Sequence, residues 1–375
     1  MNDNKCFAVD LVWLRVGKVG GSESFIRNVL DGFCESKQDF KAVLLVARDN
    51  RYSFEHYSND KRFEIYECQV DSEDVKGRII WQNLHMSSTI RKLGLKKCFE
   101  PVYSIPVITK GIEYYAVIHD LQSKHFPEYF SKARRVWTRL SWNNTVKKAK
   151  RVITISDYSR KDIADTFNLD DNRVAMIYNP VSVMHLSSEH SLELIKKFGL
   201  DKYSYFFSVS SLEQHKNLEV LIRMMTLRQD DYKLVITGVG GSLSESLSEQ
   251  IKNYHIEDKV VITPFVSDEV RDALYANCSV FLFPSIFEGF GMPPVEAMLM
   301  DCPVITTKLT SLYEVTKGEA LYVNNPFDEK EWNDLIDKAM SSSRDNVNNK
   351  RISSSHNPYT LLEAAEEYLE VFFDE

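Results

Sequence analysis

No two cysteines lie close together in this chain: the six stand at positions 6, 34, 68, 98, 278 and 302. That spacing excludes zinc-finger and Cys-x-x-Cys redox frameworks and reads as free or buried thiols in a reducing compartment. No apolar run exceeds strand length, so no segment reads as a bilayer span. The opening MNDNKCFAVDLVWLRVG lacks a basic stretch ahead of a long apolar core, so it does not read as a signal peptide, and a cytoplasmic location is expected. Positive charge is not in excess either: 46 Lys and Arg face 54 Asp and Glu, for a net charge of −8. A dedicated nucleic-acid binder is usually basic, so nucleic acid is not an expected partner. There is no Asp-x-Asp pair and no histidine cluster at metal-ligand spacing, so neither a metal nor another cofactor is expected. No G-x-G-x-x-G follows the first strand, which argues against a dinucleotide site. Short repeats and coiled-coil heptads are missing as well.

What remains is an alternation of strand-like and helix-like segments. Strands are expected at 6–14, 41–48, 62–70, 113–119 and 151–155, with helices at 22–35, 77–93 and 127–149. The pattern then restarts, with strands at 203–210, 232–238, 259–263, 279–284 and 303–307 and helices at 216–227, 243–254, 267–277, 293–300 and 328–340. Continuous apolar runs between amphipathic helices indicate parallel sheets covered on both faces. A chain of 375 residues suits two cores better than one. The expectation is α/β: two Rossmann-like doubly wound domains facing across a cleft, one over 1–182 and one over 183–356. The amphipathic segment 357–375 is expected to pack back on the first. Ligands of such sheets bind beyond the carboxyl ends of the strands.

The chemistry concentrates in 284–304, PSIFEGFGMPPVEAMLMDCPV. A strand runs into a loop holding Gly289 and Gly291, then into a helix opening at Pro293–Pro294. Glycines let the backbone approach a ligand closely, and a helix amino end suits phosphate. Glu296, on an early turn, can accept paired hydrogen bonds from a ribose diol, while Glu288 in the loop can face a sugar. The plainer alternative is that Glu296 complements the helix dipole and Glu288 is solvated. Lys216 opens another helix, as a phosphate ligand or as a solvated cation. VGGSESF at 19–25 is a glycine loop before a helix, with structural use equally open. His119 stands at the carboxyl end of a strand, as a ligand contact or as a core histidine bonded to backbone.

The stretch EGFGMPPVEAMLMDCPVI resembles glycosyltransferase family 4, a retaining family of GT-B fold, through its pattern EGFGxPxxEAMAxGxPVI. VSSLEQHKNLEVLI at 209–222, AVIHDLQSKHFPEYF at 116–130, VITISDYSRKDI at 152–163, TPFVSDEV at 263–270 and TSLYEV at 310–315 resemble further elements of it, so the likeness spans nearly the whole chain. The resemblance implies that Glu288, Lys216 and His119 carry the reaction. Glu288 orients the donor sugar, Lys216 reaches the pyrophosphate and His119 faces the sugar or its leaving oxygen. Gly20 and Gly21 close over the donor phosphates. Phe290, Gly291 and Met292 meet sugar hydroxyls or phosphate, Glu296 binds the ribose and Phe265 lines the nucleobase. Glu314 approaches the donor, and Ser156 is an N-cap first. Two departures stand out. The Gly of the xGxPV turn is replaced, Asp301–Cys302 standing there. The Arg that usually precedes the Lys by five positions is Ser211, so phosphate binding falls to Lys216, His215, Ser210, Ser211 and backbone amides.

The resemblance implies a metal-independent, retaining hexosyl transfer from a nucleotide sugar, mannose from GDP-mannose in the first place, to a glycan or lipid-linked glycan acceptor of surface polysaccharide or O-antigen. A nucleotide-sugar epimerase and a non-catalytic donor-binding subunit are the alternatives. The segment 131–151 holds eight Lys or Arg and no Asp or Glu, with Trp137 and Trp142 between them. It reads either as a partly buried helix with a solvated basic face or as a peripheral contact with the inner face of the membrane.

Overall fold

The computed structural model describes residues 5–170, 173–210, 213–238, 242–341 and 352–373. The chain divides into two units, Met1–Pro180 with Tyr359–Glu375, and Val181–Pro358. Among the described residues no helix is long and apolar enough to cross a membrane.

The first unit is built on seven strands: β1 (Cys6–Asp10), β2 (Lys41–Val46), β3 (Phe63–Glu67), β4 (Lys97–Glu100), β5 (Glu113–Val117), β6 (Arg151–Thr154) and β7 (Val174–Met176). Their order is β3-β2-β1-β4-β5-β6-β7 and every pairing is parallel. The second unit has β8 (Tyr205–Val209), β9 (Lys233–Thr237), β10 (Val260–Ile262), β11 (Val280–Phe283), β12 (Val304–Thr307) and β13 (Leu321–Val323), in the order β10-β9-β8-β11-β12-β13, again all parallel. Each order reverses once, between β1 and β4 and between β8 and β11. Those two reversals are the places where a doubly wound sheet opens a crevice for a ligand.

Strand β2, KAVLLV, buries all but its first residue, as expected of a strand with helices on both faces. Strands β4, β7 and β13 are missing from the expected set. They run four, three and three residues. The expected strand 6–14 stops at Asp10, because its Oδ1 accepts from Val12 N (2.9 Å) and turns the chain. The expected helix 77–93 is two helices, Val75–Trp81 and Ser87–Lys92, joined by a π-helical turn over Gln82–Met86. The expected helix 127–149 begins only at Lys132, where Ser131 Oγ caps it by accepting from Arg134 N.

The last helix, Leu361–Phe373, completes the first core. Its Phe372 ring lies 5.0 Å from that of Phe7, 5.2 Å from Phe99 and 5.1 Å from Tyr115, and Lys97 Nζ donates to the Phe372 carbonyl at 2.6 Å. Full burial of one such aromatic stabilises by about 2–3 kcal/mol.

Candidate functional site

In the second unit β11 ends at Phe283 and the chain enters the loop carrying Glu288. Side chains that follow β12 hold this loop. Glu288 N donates to Thr310 Oγ1 (3.0 Å), and Ser311 Oγ donates to the carbonyls of Glu288 (3.0 Å) and Phe290 (2.8 Å). The loop ends at Gly291, whose φ is +93° and whose missing Cβ would stand 2.6 Å from Leu312 Cδ2. The positive φ demands glycine there, and any Cβ would also push the Leu312 side chain aside. The helix Met292–Leu299 follows, with Pro293 and Pro294 in its first turn. Their fixed φ suits that turn. They also carry no N–H, so Met292 is the one amide donor among the first three helical residues.

Lys216 closes the short 3₁₀ turn Gln214–Lys216 after β8. Its Nζ lies 2.6 Å from Glu288 Oε1, and the two side chains are only 14% and 12% exposed. The ammonium also sits 5.6 Å from the Phe283 ring centroid. Removing one member of so enclosed a pair leaves a charge without compensation. The turn is tied to the Glu288 loop, since Ile286 N donates to the His215 carbonyl (2.9 Å). The His215 ring is buried, and burial, reinforced by the adjacent Lys216 charge, pushes its pKa down to about 4. At neutral pH it offers an N–H and no charge. Ser210 is buried at the end of β8, its N–H donating to the Thr237 carbonyl at 3.0 Å. Ser211 lies outside the described residues.

Glu296 is 5% exposed. Its Oε2 accepts from Tyr275 Oη at 2.9 Å, while Oε1 has Arg271 Nη1 3.7 Å away. Arg271 is anchored on Asp272 Oδ1 (2.9 Å), and Asp272 Oδ2 accepts from Met184 N (2.7 Å). Burial raises the Glu296 pKa and the Arg271 guanidinium opposes that rise. Glu296 is the fifth residue of the helix Met292–Leu299, past the first turn where it was expected, so its partners are Tyr275 and Arg271 rather than the helix dipole. Phe265 is 71% exposed, and Glu314 lies in the helical turn Leu312–Val315. At the replaced glycine, Asp301 itself adopts the left-handed conformation, φ 54°, and its Oδ1 accepts from Ser354 N at 3.0 Å. Cys302 Sγ lies 3.1 Å from Cys278 Sγ, both thiols being free.

In the first unit Gly20 caps the helix Gly21–Glu35 with φ 57° and ψ −136°, a conformation that favours glycine. The loop before it is pinned by Gly17 N donating to Glu23 Oε2 (2.8 Å). His119 follows β5. Its Nε2 meets the Pro101 carbonyl at 3.0 Å, and the Phe25 ring packs edge-on at 4.8 Å. Burial pushes its pKa down to about 4. It is therefore neutral, with Nε2–H donating to the carbonyl and Nδ1 left as an acceptor. Ser156 Oγ accepts from Ser159 N (3.1 Å) as the N-cap of the helix Asp157–Phe167.

The structure thus brings Lys216, Glu288, Phe290, Gly291 and Met292 into one constellation at the carboxyl ends of β8 and β11, and sets Glu296 on the helix behind it. Arg271, Tyr275, Thr310 and Ser311 were not among the expected site residues. Thr310 and Ser311 lie within the TSLYEV element, where only the glutamate drew notice. Arg271 and Tyr275 stand four apart on the helix Asp268–Asn277, a spacing with no chemical signature of its own.

Two protein-family profiles match: "Glycosyltransferase Family 4" over residues 19–184 and "Glycosyl transferases group 1" over residues 191–355. Among curated relatives, the O-antigen chain mannosyltransferase RfbU of Salmonella typhimurium is 33% identical over 219 residues, 58% of each chain. The O-antigen chain mannosyltransferase B of Escherichia coli is 30% identical over 216 residues, 56% of each. The chain thus spans somewhat more than half the length of these relatives. Among solved structures, Anabaena HepE in complex with UDP and glucose aligns over 99% of this chain and 96% of its own, with a TM-score of 0.71 at 18% identity. WaaG, a glycosyltransferase involved in lipopolysaccharide biosynthesis, aligns over 98% and 100%, with a TM-score of 0.69 at 13% identity. These likenesses identify the fold as GT-B.

Proposed function

The chain belongs to glycosyltransferase family 4, and from that premise we propose that it is a retaining, metal-independent hexosyltransferase that moves mannose from GDP-mannose to a glycan or lipid-linked glycan acceptor of a surface polysaccharide. The pair Lys216–Glu288, enclosed at the sheet's reversal beside the amino end of the helix Met292–Leu299, is the observation that carries this reading. Breaking the donor's glycosidic bond leaves a nucleoside diphosphate with added negative charge. An ammonium fixed before the reaction stabilises that charge with little reorganisation. Glu288, held 2.6 Å from the same ammonium, accepts hydroxyls of the transferred sugar. Glu296 accepts the ribose diol through the oxygen that Tyr275 leaves open, Phe265 covers the base, and Gly291, Met292, Ser210, Ser211 and His215 surround the diphosphate. Gly20, Gly21 and His119 are the first unit's contribution to ligand binding. The departing phosphate takes the acceptor proton on the same face, which keeps the anomeric configuration and requires no separate base.

Peripheral membrane contact belongs to the same proposal. The helix Lys132–Lys148 leaves Val136, Trp137 and Leu140 exposed, at 59%, 38% and 62%, among the exposed cations Lys132, Arg134 and Arg139. Trp142 takes no part in that surface, being buried against Tyr103 and Phe167. Apolar side chains ringed by cations suit an anionic lipid surface.

A thermal-shift screen across GDP-, UDP- and dTDP-sugars tests the donor. GDP-mannose is expected to raise the melting temperature most, by mass action, and to release GDP once a glycan acceptor is added. If no nucleotide sugar raises it, the reading falls. EDTA is expected to leave turnover unchanged.

A further inference from the structure

Cys278 and Cys302 stand just ahead of β11 and β12, which are neighbours in the second sheet. The register Phe281↔Val304 places the residues that precede these two strands beside each other. The two Sγ atoms lie 3.1 Å apart, in an S–H···S contact, and no disulfide joins them. Backbone bonds fix both residues. Cys278 caps the helix Asp268–Asn277, its N–H donating to the Leu274 carbonyl at 3.1 Å. Cys302 N donates to the Ala297 carbonyl at 3.0 Å, in the turn after the helix Met292–Leu299. Bonded sulfurs stand about 2.05 Å apart, so closing the bond takes an approach of about 1 Å, shared between two side chains.

A buried thiol in an apolar core is ordinarily inert. Cys68 and Cys98 are of that kind: they lie in the first unit's core, and burial pushes both thiols up. Cys278 and Cys302 differ in having a second sulfur at contact distance, so that oxidation of one is resolved by the other. Cys302 is 3% exposed, but its chain neighbours Asp301 and Pro303 are half-buried, which sets its sulfur just beneath the surface. A solute as small as a peroxide can reach it there.

The positions of the two sulfurs decide what a bond between them does. The cysteines are 24 positions apart and bracket β11, the Glu288 loop and the helix bearing Glu296. They also stand just past the ends of two helices that Glu296 already joins, through Tyr275 Oη at 2.9 Å and Arg271 Nη1 at 3.7 Å. A disulfide ties those helices at a second point. It forms at the amino ends of the strands, while Lys216 and Glu288 lie at the carboxyl ends, so it takes no space from the site.

We propose that Cys278 and Cys302 are a redox-modification site, at which a peroxide forms a reversible disulfide that staples the segment carrying Glu288 and Glu296. Hydrogen peroxide transfers one oxygen to Cys302 Sγ, breaking the O–O bond and giving a sulfenic acid and water. Cys278 Sγ then attacks that sulfur, the S–O bond breaks, and a second water leaves. Two thiols and one peroxide thus become one disulfide and two waters, and a dithiol reductant reverses the change. The closed loop restricts the unfolded chain, so the oxidised protein is the more stable form.

The full chain is treated with hydrogen peroxide, quenched with catalase, alkylated with iodoacetamide in denaturant and digested without reduction. Mass spectrometry is expected to find one peptide pair joined through Cys278 and Cys302, two hydrogens lighter than its separate parts. The oxidised protein, before denaturation, is expected to melt about 5 °C or more above the reduced protein, and dithiothreitol should reverse both changes. Cys278→Ala and Cys302→Ala should each abolish the link and the rise. Both thiols still alkylated after peroxide, or Cys302 carried to a sulfinic acid without the link, would overturn the site. A link without a rise in melting temperature would overturn the staple, and a rise that persists in Cys302→Ala would assign it to other cysteines and overturn it too. If Cys278→Ala does not fold, Cys302→Ala and the peptide link in the unsubstituted protein decide.

Discussion

The carboxyl edges of the two sheets share a topology and treat ionisable groups in opposite ways. In the second unit the reversal holds Lys216 and Glu288 as a close pair, each with a little of its surface open. In the first, Asp10 and Glu100 are wholly buried and carboxyl meets carboxyl. One edge keeps two opposite charges ready for exchange with a ligand. The other buries two carboxyl groups side by side, and burial with the neighbouring Asp10 charge pushes Glu100 well above the usual carboxylate range. The same fold thus keeps an ion pair at one edge and hides an acid pair at the other.

The largest test of this contrast is Glu288→Gln. It leaves Lys216 enclosed without its counter-charge and takes a carboxylate from the sugar, so kcat/KM should fall about 10²–10³-fold. Steady-state kinetics with the donor found by thermal shift would measure it. An equal fall in Asp10→Asn would erase the distinction between the two edges.

Asp10→Asn has its expected effect on stability instead. Burial raises the Asp10 pKa from 3.8 to about 6. Between those values the folded protein holds a proton that the unfolded chain has released, so stability falls as pH rises through the window. The contribution is present below pH 3.8 and is lost once pH passes about 6. A shift of that size corresponds to roughly 3 kcal/mol. Asparagine does not titrate, so urea unfolding from pH 4 to 7 should show a flatter slope for Asp10→Asn than for the unsubstituted protein. Identical slopes would show that Asp10 does not titrate in that window.

The same contrast explains what could be read from the chain before its structure. The second unit's site lies in one continuous stretch, Glu288 to Glu296, where glycines, prolines and carboxylates fall at a fixed spacing. Lys216 came with a second short match. The clamp by Thr310 and Ser311 was not legible, since a hydroxyl bonded to a backbone N–H or carbonyl leaves no pattern in the chain. In the first unit Asp10 and Glu100 are ninety residues apart and meet only because β1 and β4 are neighbours. Parallel sheets were legible from continuous apolar runs, yet β4, β7 and β13 were not, since KCFE, VAM and LYV stand among polar and charged neighbours with no long apolar run. The π-helical turn at Gln82–Met86, which aims Gln82 at Asp10, left no trace either.

Arg271→Met probes the second unit at a step removed from the Lys216–Glu288 pair. Arg271 stands 3.7 Å from Glu296 and lowers the pKa that burial raises. Without it the Glu296 carboxyl protonates at higher pH and loses acceptor capacity for the ribose. The donor KM should rise about tenfold, the worth of one charge-assisted hydrogen bond, with kcat nearly unchanged. The acid limb of the kcat/KM profile should move to higher pH, and Arg271→Lys should recover part of the shift. A fall in kcat alone would place Arg271 with the reacting groups.

Ser311→Ala should have the smallest effect and the most local one. Ser311 is fully buried, and its single hydroxyl hydrogen serves the carbonyls of Glu288 and Phe290. Alanine leaves both acceptors without that donor at a cost of about 1–2 kcal/mol. Thr310 still holds Glu288 N from the other side, so the loop should loosen without leaving its place. The expected result is a fall in kcat/KM of about three- to tenfold, with a matching loss in thermal stability of nucleotide-bound protein. Threonine at this position keeps the hydroxyl and should recover most of it. If alanine costs stability and no activity, the Glu288 loop is held well enough by the Lys216 pair alone, and electrostatics rather than the hydroxyl clamp sets the geometry of that edge.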